Sequence, residues 1–229
     1  MMKRIGTVSL AILLVIFVAS SATAQGLFGT KKDDAPKADV DGLSKRSASL
    51  LNKVQSATIS FAEGVVLVQI AVGQKEEAAK LQQAIANAKE KKGDQNATSA
   101  LVGEVNNATA SLNKIDLAAQ MNKEKALESL GSSILKIGIG VILDGLAAAD
   151  ASALLQESQA ALKQVSFMAA GKVKDVINVA QFVVKEIPPQ ASSLQQYSGK
   201  LIDYAKVNAI PTPSAEDIKA KAAAMKDEG

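Results

Sequence analysis

Few residues in this chain have the types and spacing that chemistry needs, and the two best placed are Lys136 and Asp144. They are the only charges in the apolar stretch ILKIGIGVILDGLAAA, residues 134–149. A carboxylate in such surroundings loses its hydration, which shifts its pKa and can prepare it for proton transfer. Asp144 is therefore the acid expected to be most desolvated, with Lys136 two turns away as its candidate partner. A local turn at Asp144-Gly145 explains the same residues without chemistry. Gly138-Ile139-Gly140 begins like a dinucleotide-binding fingerprint, but Leu143 stands where the third glycine belongs. Asp39-Val40-Asp41-Gly42 looks like a fragment of a calcium loop. It lacks the third acid before the glycine, and Leu50, Leu51 and Asn52 fall where the bidentate glutamate should be. Asn96-Ala97-Thr98 and Asn107-Ala108-Thr109 match the glycosylation pattern, which is common by chance. Tyr197 and Tyr204, seven apart, share a helix face and read as core residues with wet hydroxyls.

The missing residue types exclude more than the present ones suggest. Without histidine there is no Ser-His-Asp triad, no H-E-x-x-H zinc site and no Glu-x-x-His di-iron pair. Without cysteine there is no disulfide framework, thiol nucleophile, thiolate metal site or haem attachment. No catalytic, cofactor-binding or metal-binding residue can be assigned, and no cofactor is implied.

Residues 1–24 read as a cleavable secretory signal. Lys3 and Arg4 supply the charged start, an apolar run extends from Val8 to Val18, and Ala22-Thr23-Ala24 forms the cleavage site before Gln25. The run is too short for the roughly 20 residues of a spanning helix. The expected location is the periplasm or beyond. Loss of Lys3 and Arg4 lowers the formal charge from +3 to +1 and leaves Arg46 as the sole arginine. That balance speaks against nucleic acid, which calls for clustered positive charge and arginine forks. An exported chain with no disulfides must be held by its core. About 205 residues suffice for that, burying roughly 70% of their unfolded surface. With six aromatic residues left and no tryptophan, Ala, Leu, Val and Ile must fill the core, which suits closely approaching helices.

The elements that would position these residues are all helical. Residues 25–40 mix glycine, proline and charge without period and read as a disordered leader. Domain 41–209 reads as an elongated all-α bundle, within a total of five to seven helices. From a cap at Asp41, the positions Leu43, Ser47, Leu50, Val54, Ala57, Phe61, Gly64, Val68 and Ala71 step by four and three, which holds one seam toward a partner. Gly73 ends or bends that helix. A second helix over Lys75–Lys92 turns Ala78, Leu81, Ile85 and Ala88 inward. A third, from about Gln95 to Leu130, carries a seam through Leu101, Val105, Ala108, Leu112, Ile115 and Ala119. Gly131-Ser132-Ser133 should interrupt it, Asp150 should cap the next helix with Met168 among its inward residues, and Gly171 should bend or divide the chain. Pro188-Pro189 should stop the helix that follows, and another should run from Gln190 to Asn208. Residues 210–229 read as a proline linker and a loosely docked final helix.

Two segments, Ile59–Val72 and Ile134–Ala149, are apolar nearly all round and belong either in the middle of a bundle or in a membrane. The leading expectation is a non-enzymatic envelope protein that acts by helix-mediated binding or assembly, with a protein partner or its own copies. The alternative is a membrane-active or lipid-binding protein using those two segments. In general plan this resembles helical pore-forming toxins that hide an apolar element, with no shared motif. An enzyme built on carboxylates alone is the third reading, and no paired-carboxylate motif supports it.

Overall fold

A computed structural model describes residues 38–121 and 123–227. The expected signal peptide and nearly all of the expected leader lie outside these residues. Seven helices follow one another, and no strand occurs among the described residues. They are α1 (Val40–Ala71), α2 (Lys75–Glu90), α3 (Gln95–Leu112), α4 (Leu117–Gln120), α5 (Lys123–Leu162), α6 (Phe167–Val207) and α7 (Ala215–Asp227).

The three long helices form the frame. A single turn over 163–166 folds α6 back along α5. The pairs Arg46–Glu157, Lys53–Asp150 and Ser60–Lys136 set α1 antiparallel to α5. The hairpin of α2 and α3 covers the second half of α1, clamped by the buried Gln55. Its amide donates to the carbonyls of Ala88 (2.9 Å) and Lys91 (3.1 Å) and accepts from the Gly93 N–H (3.0 Å). Turn chemistry agrees with the sequence here. Gly73 and Gly93 adopt φ of +86° and +74°, which favours glycine, and the Asp94 carboxylate caps α3 through the Ala97 N–H.

All nine residues of the α1 seam from Leu43 to Ala71 are buried, as are the four expected on α2. The two apolar segments face each other. A side chain at Gly64 would meet Ile137 at 2.8 Å, and one at Gly140 would meet Phe61 at 2.6 Å and the Ala57 carbonyl at 2.9 Å. The second segment is not enclosed on every side, however: Gly145, Leu146 and Ala149 turn outward.

Several expected boundaries are overturned. Asp39 rather than Asp41 caps α1, accepting from Gly42 N at 2.8 Å. The expected third helix breaks after Leu112, and Ala119 is exposed while Leu117 and Met121 take the buried places. That break is sustained by α6, which satisfies the freed carbonyls: Lys200 donates to Asn113 and the Tyr204 hydroxyl to Met121 at 2.8 Å. Gly131-Ser132-Ser133 interrupts nothing. Ser133 returns its hydroxyl to the Ser129 carbonyl, and Leu130, Ile134 and Ile137 keep one continuous buried face. Asp150 is not a cap but an exposed mid-helix acid paired with Lys53 at 3.1 Å. Gly171 lies inside α6. Pro188 and Pro189 do too, because both point outward while Ile187, Gln190 and Leu194 stay buried. The carbonyls they leave without donors, on Val184 and Lys185, belong to exposed residues. Met168, expected inside, is 91% exposed.

Candidate functional site

The fully buried Asp144 is the strongest chemical candidate in the described residues. It shows no solvent exposure, and neither carboxylate oxygen has a hydrogen-bond partner. Burial alone holds its pKa well above the ordinary aspartate value. Lys136 does not join it. Eight residues of helix separate the two by about 12 Å of rise and rotate them some 80° apart. Lys136 instead binds Glu63 at 2.6 Å, and Lys89 binds the other oxygen of Glu63 at 2.8 Å. Burial of Glu63 pulls its pKa up, but the two lysine partners outweigh that and hold it below the ordinary glutamate value.

Asp144 lies on α5 in the interval between two hydrophobic cores, next to a third, small cluster that includes Ile139 and Leu143. The core at one end takes in Leu50 and Val54 of α1, Ala147 and Ala151 of α5, and Val183 and Ile187 of α6. The core at the other end takes in Phe61 of α1, Ile137 of α5 and Leu194 of α6. The intervals between them contain Thr58, Asp144 and Gln190, each at most 1% exposed. Thr58 satisfies its hydroxyl on the Val54 carbonyl at 2.9 Å. Gln190 leaves both amide atoms unpartnered. The sequence pointed to Asp144 but gave no sign of Gln190, because a glutamine after two prolines reads as surface.

The remaining sequence candidates have structural roles. Asp39 is the α1 cap and Asp41 pairs with Lys172 at 3.5 Å, so the calcium-like fragment is spent on the helix start. Among the described residues no group of three acidic side chains could hold a metal ion. Gly138 and Gly140 sit within α5 as packing notches. Thr98 and Thr109 of the two glycosylation patterns are buried, with hydroxyls returned to the carbonyls one turn back. The two tyrosines differ: the Tyr204 hydroxyl is bonded, whereas that of the fully buried Tyr197 has no partner, and burial raises its pKa.

Two open clefts, of about 430 and 490 Å³, both include Ala38 and Asp39 at the start of α1. The first is lined by Arg46 and Glu157, which form an ion pair, and the second by Asp41 and Lys172, which form another. Beside the second, Phe167 is 96% exposed next to Met168. Those charges neutralise one another, so the clefts offer shape and apolar contact more than a focused field. Comparison with protein-family models, curated proteins and solved structures finds no match.

Proposed function

We propose that this chain is an exported, non-enzymatic helical-bundle protein that acts by helix-mediated binding or assembly in the cell envelope. The observation that carries this reading is the α1–α5 seam. Both strongly apolar segments direct their glycine notches at each other, and the surface left over is made of helix faces and exchangeable ion pairs. Charged pairs such as Arg46–Glu157 are half exposed, so they contribute little stability and leave the surface free to meet a partner. The signal-like start supplies the export half of the proposal. Cell fractionation of the native host, with intact-mass measurement, tests it: a product beginning near Gln25 in an envelope complex is expected. An uncleaved chain confined to the cytoplasm would contradict it.

One observation favours a second, membrane-active reading. Both α1 and α5 are long and apolar enough to cross a bilayer, and the most apolar stretch of α5 is only 44% buried. Leakage of dye from vesicles of anionic phospholipid separates the two. The scaffold reading expects none, and leakage that Gly140→Leu alters without unfolding the chain would replace it with the membrane-active reading.

A further inference from the structure

The final helix differs from every other element in how it is held. Of its described side chains, Ala222 is buried and Ile218 partly so. Both pack on a strip of α5 and α1 formed by Leu135, Gly138, Ile139, Ile142, Leu143 and Ala57. The fit is close at one point, where a side chain at Gly138 would meet Ile218 at 2.9 Å. Among the described side chains, no ion pair or hydrogen bond ties α7 to the bundle. Its polar contacts stay within its own first turn, where Ser214 and Asp217 bond each other reciprocally, at 2.7 and 3.1 Å. This closed cap satisfies the start of α7 without a partner from the bundle.

The segment before it closes α6 and then runs on as a proline connector. Ala209 takes a φ of +54°, the only non-glycine residue described with a positive value. This is the left-handed close of α6: the Ile210 N–H reaches back to the Ala205 carbonyl at 2.9 Å, and the Ile210 side chain is buried in the main core. Pro211-Thr212-Pro213 follows as an extended, stiff connector. A terminal element that keeps its own cap, docks through two of its described side chains and hangs from a proline-bearing connector has the ingredients for exchange between copies. Exchange keeps every contact of the docked helix.

We propose that the strip of α5 under α7 is an exchange site for the α7 of a second copy, so that two chains pair by swapping their C-terminal helices. The occupant is fixed by what already sits there: a helix offering isoleucine and, four residues on, alanine to a glycine notch. This rests on the assembly reading above and names its interface. A negative result would remove the exchange alone, whereas failure of export and envelope association would remove the broader reading.

The absence of native cysteine allows a clean test on the full chain. The contact of Gly138 with the branches of Ile218 brings the two Cβ atoms within about the 3.5–4.5 Å that a disulfide spans. Two single variants, Gly138→Cys and Ile218→Cys, are purified with different mass tags, mixed, incubated and oxidised. Exchange predicts a disulfide joining one variant to the other, in several-fold excess over self-linked dimers of either. The unmodified chain supplies a second readout: light scattering should show a dimer that Ile218→Asp converts to monomer. Cross-variant linkage no greater than self-linkage, from chains whose circular dichroism matches the unmodified protein, overturns the proposal. So does a scattering mass that stays monomeric as concentration rises.

Discussion

Helix α5 carries two glycine notches two residues apart that face different neighbours, and the contrast between them explains much of the molecule. Gly140 receives Phe61 and the backbone of Ala57 from α1, a 32-residue helix whose entire seam is buried. Gly138 receives the branched end of Ile218 from α7, a 13-residue helix of whose described side chains two, Ile218 and Ala222, are covered. The same device thus serves a permanent joint on one face and a releasable one on the other. What separates them is not the notch but the length of apolar seam behind the helix that fills it. Dispersion and burial add up along a seam, and a short helix with one isoleucine has little to add.

The sharpest way to break this comparison is Gly140→Leu. Its Cβ would stand 2.9 Å from a main-chain carbonyl that cannot rotate away. Overpacking of this kind costs about 1–3 kcal/mol and sometimes more. A loss of about 3 kcal/mol in denaturant-derived stability is expected. A melt indistinguishable from that of the unmodified chain would show that the α1–α5 seam is not tight.

Asp144 gives the next largest effect, and it depends on pH. Burial raises its folded-state pKa above the unfolded value, so folding takes up a proton. The folded state is then best supported below the unfolded aspartate pKa of about 3.9. It loses that support as pH rises from there to the folded value, and levels off beyond. Asp144→Asn removes the ionisation and with it this slope. The variant should be more stable than the unmodified chain at pH 8, with the difference shrinking toward pH 4. Urea titrations at the two pH values check it, and an equal difference at both would refute the assignment.

Smaller effects follow at Gly145 and Gly138 of α5. Gly145 has open space where a side chain would stand, so Gly145→Ala should stabilise by about 0.5–1 kcal/mol through helix propensity. A destabilised melt there would mean that something unseen covers this face. Gly138→Leu should change the global melt least, by under about 1 kcal/mol, because the gain in propensity offsets the lost docking of α7. Its signature should be proteolytic release of the segment after Ile210. A large global loss would make α7 part of the core and erase the distinction drawn here.

Much of the frame was legible because it rests on local period. The α1 seam and the α2 stripe follow directly from apolar spacing, and Asp144 stood out as the acid most deprived of water. What escaped was decided by neighbours distant in sequence. Gly131-Ser132-Ser133 reads as a break, yet the Ser133 hydroxyl bonds back to the helix and the buried face continues across it. Pro188-Pro189 reads as a stop, yet both rings fall on the solvent side, where the freed carbonyls meet water. The ends of α3 and α4 are met by Lys200 and Tyr204 respectively, some 80 residues onward, and no local signal could announce them. Gln190 and the exposed Phe167 and Met168 were missed because residue type predicted the opposite burial in each case.

Amide hydrogen exchange on the full chain, with and without vesicles of anionic phospholipid, tests the central contrast most directly. The account predicts that residues 59–72 and 134–143 exchange slowest, at the rate set by global unfolding, with or without vesicles. Residues 215–225 should exchange far faster through local undocking. Slow exchange in α7 matching that of the seam, or a seam whose protection changes when vesicles are added, would contradict it.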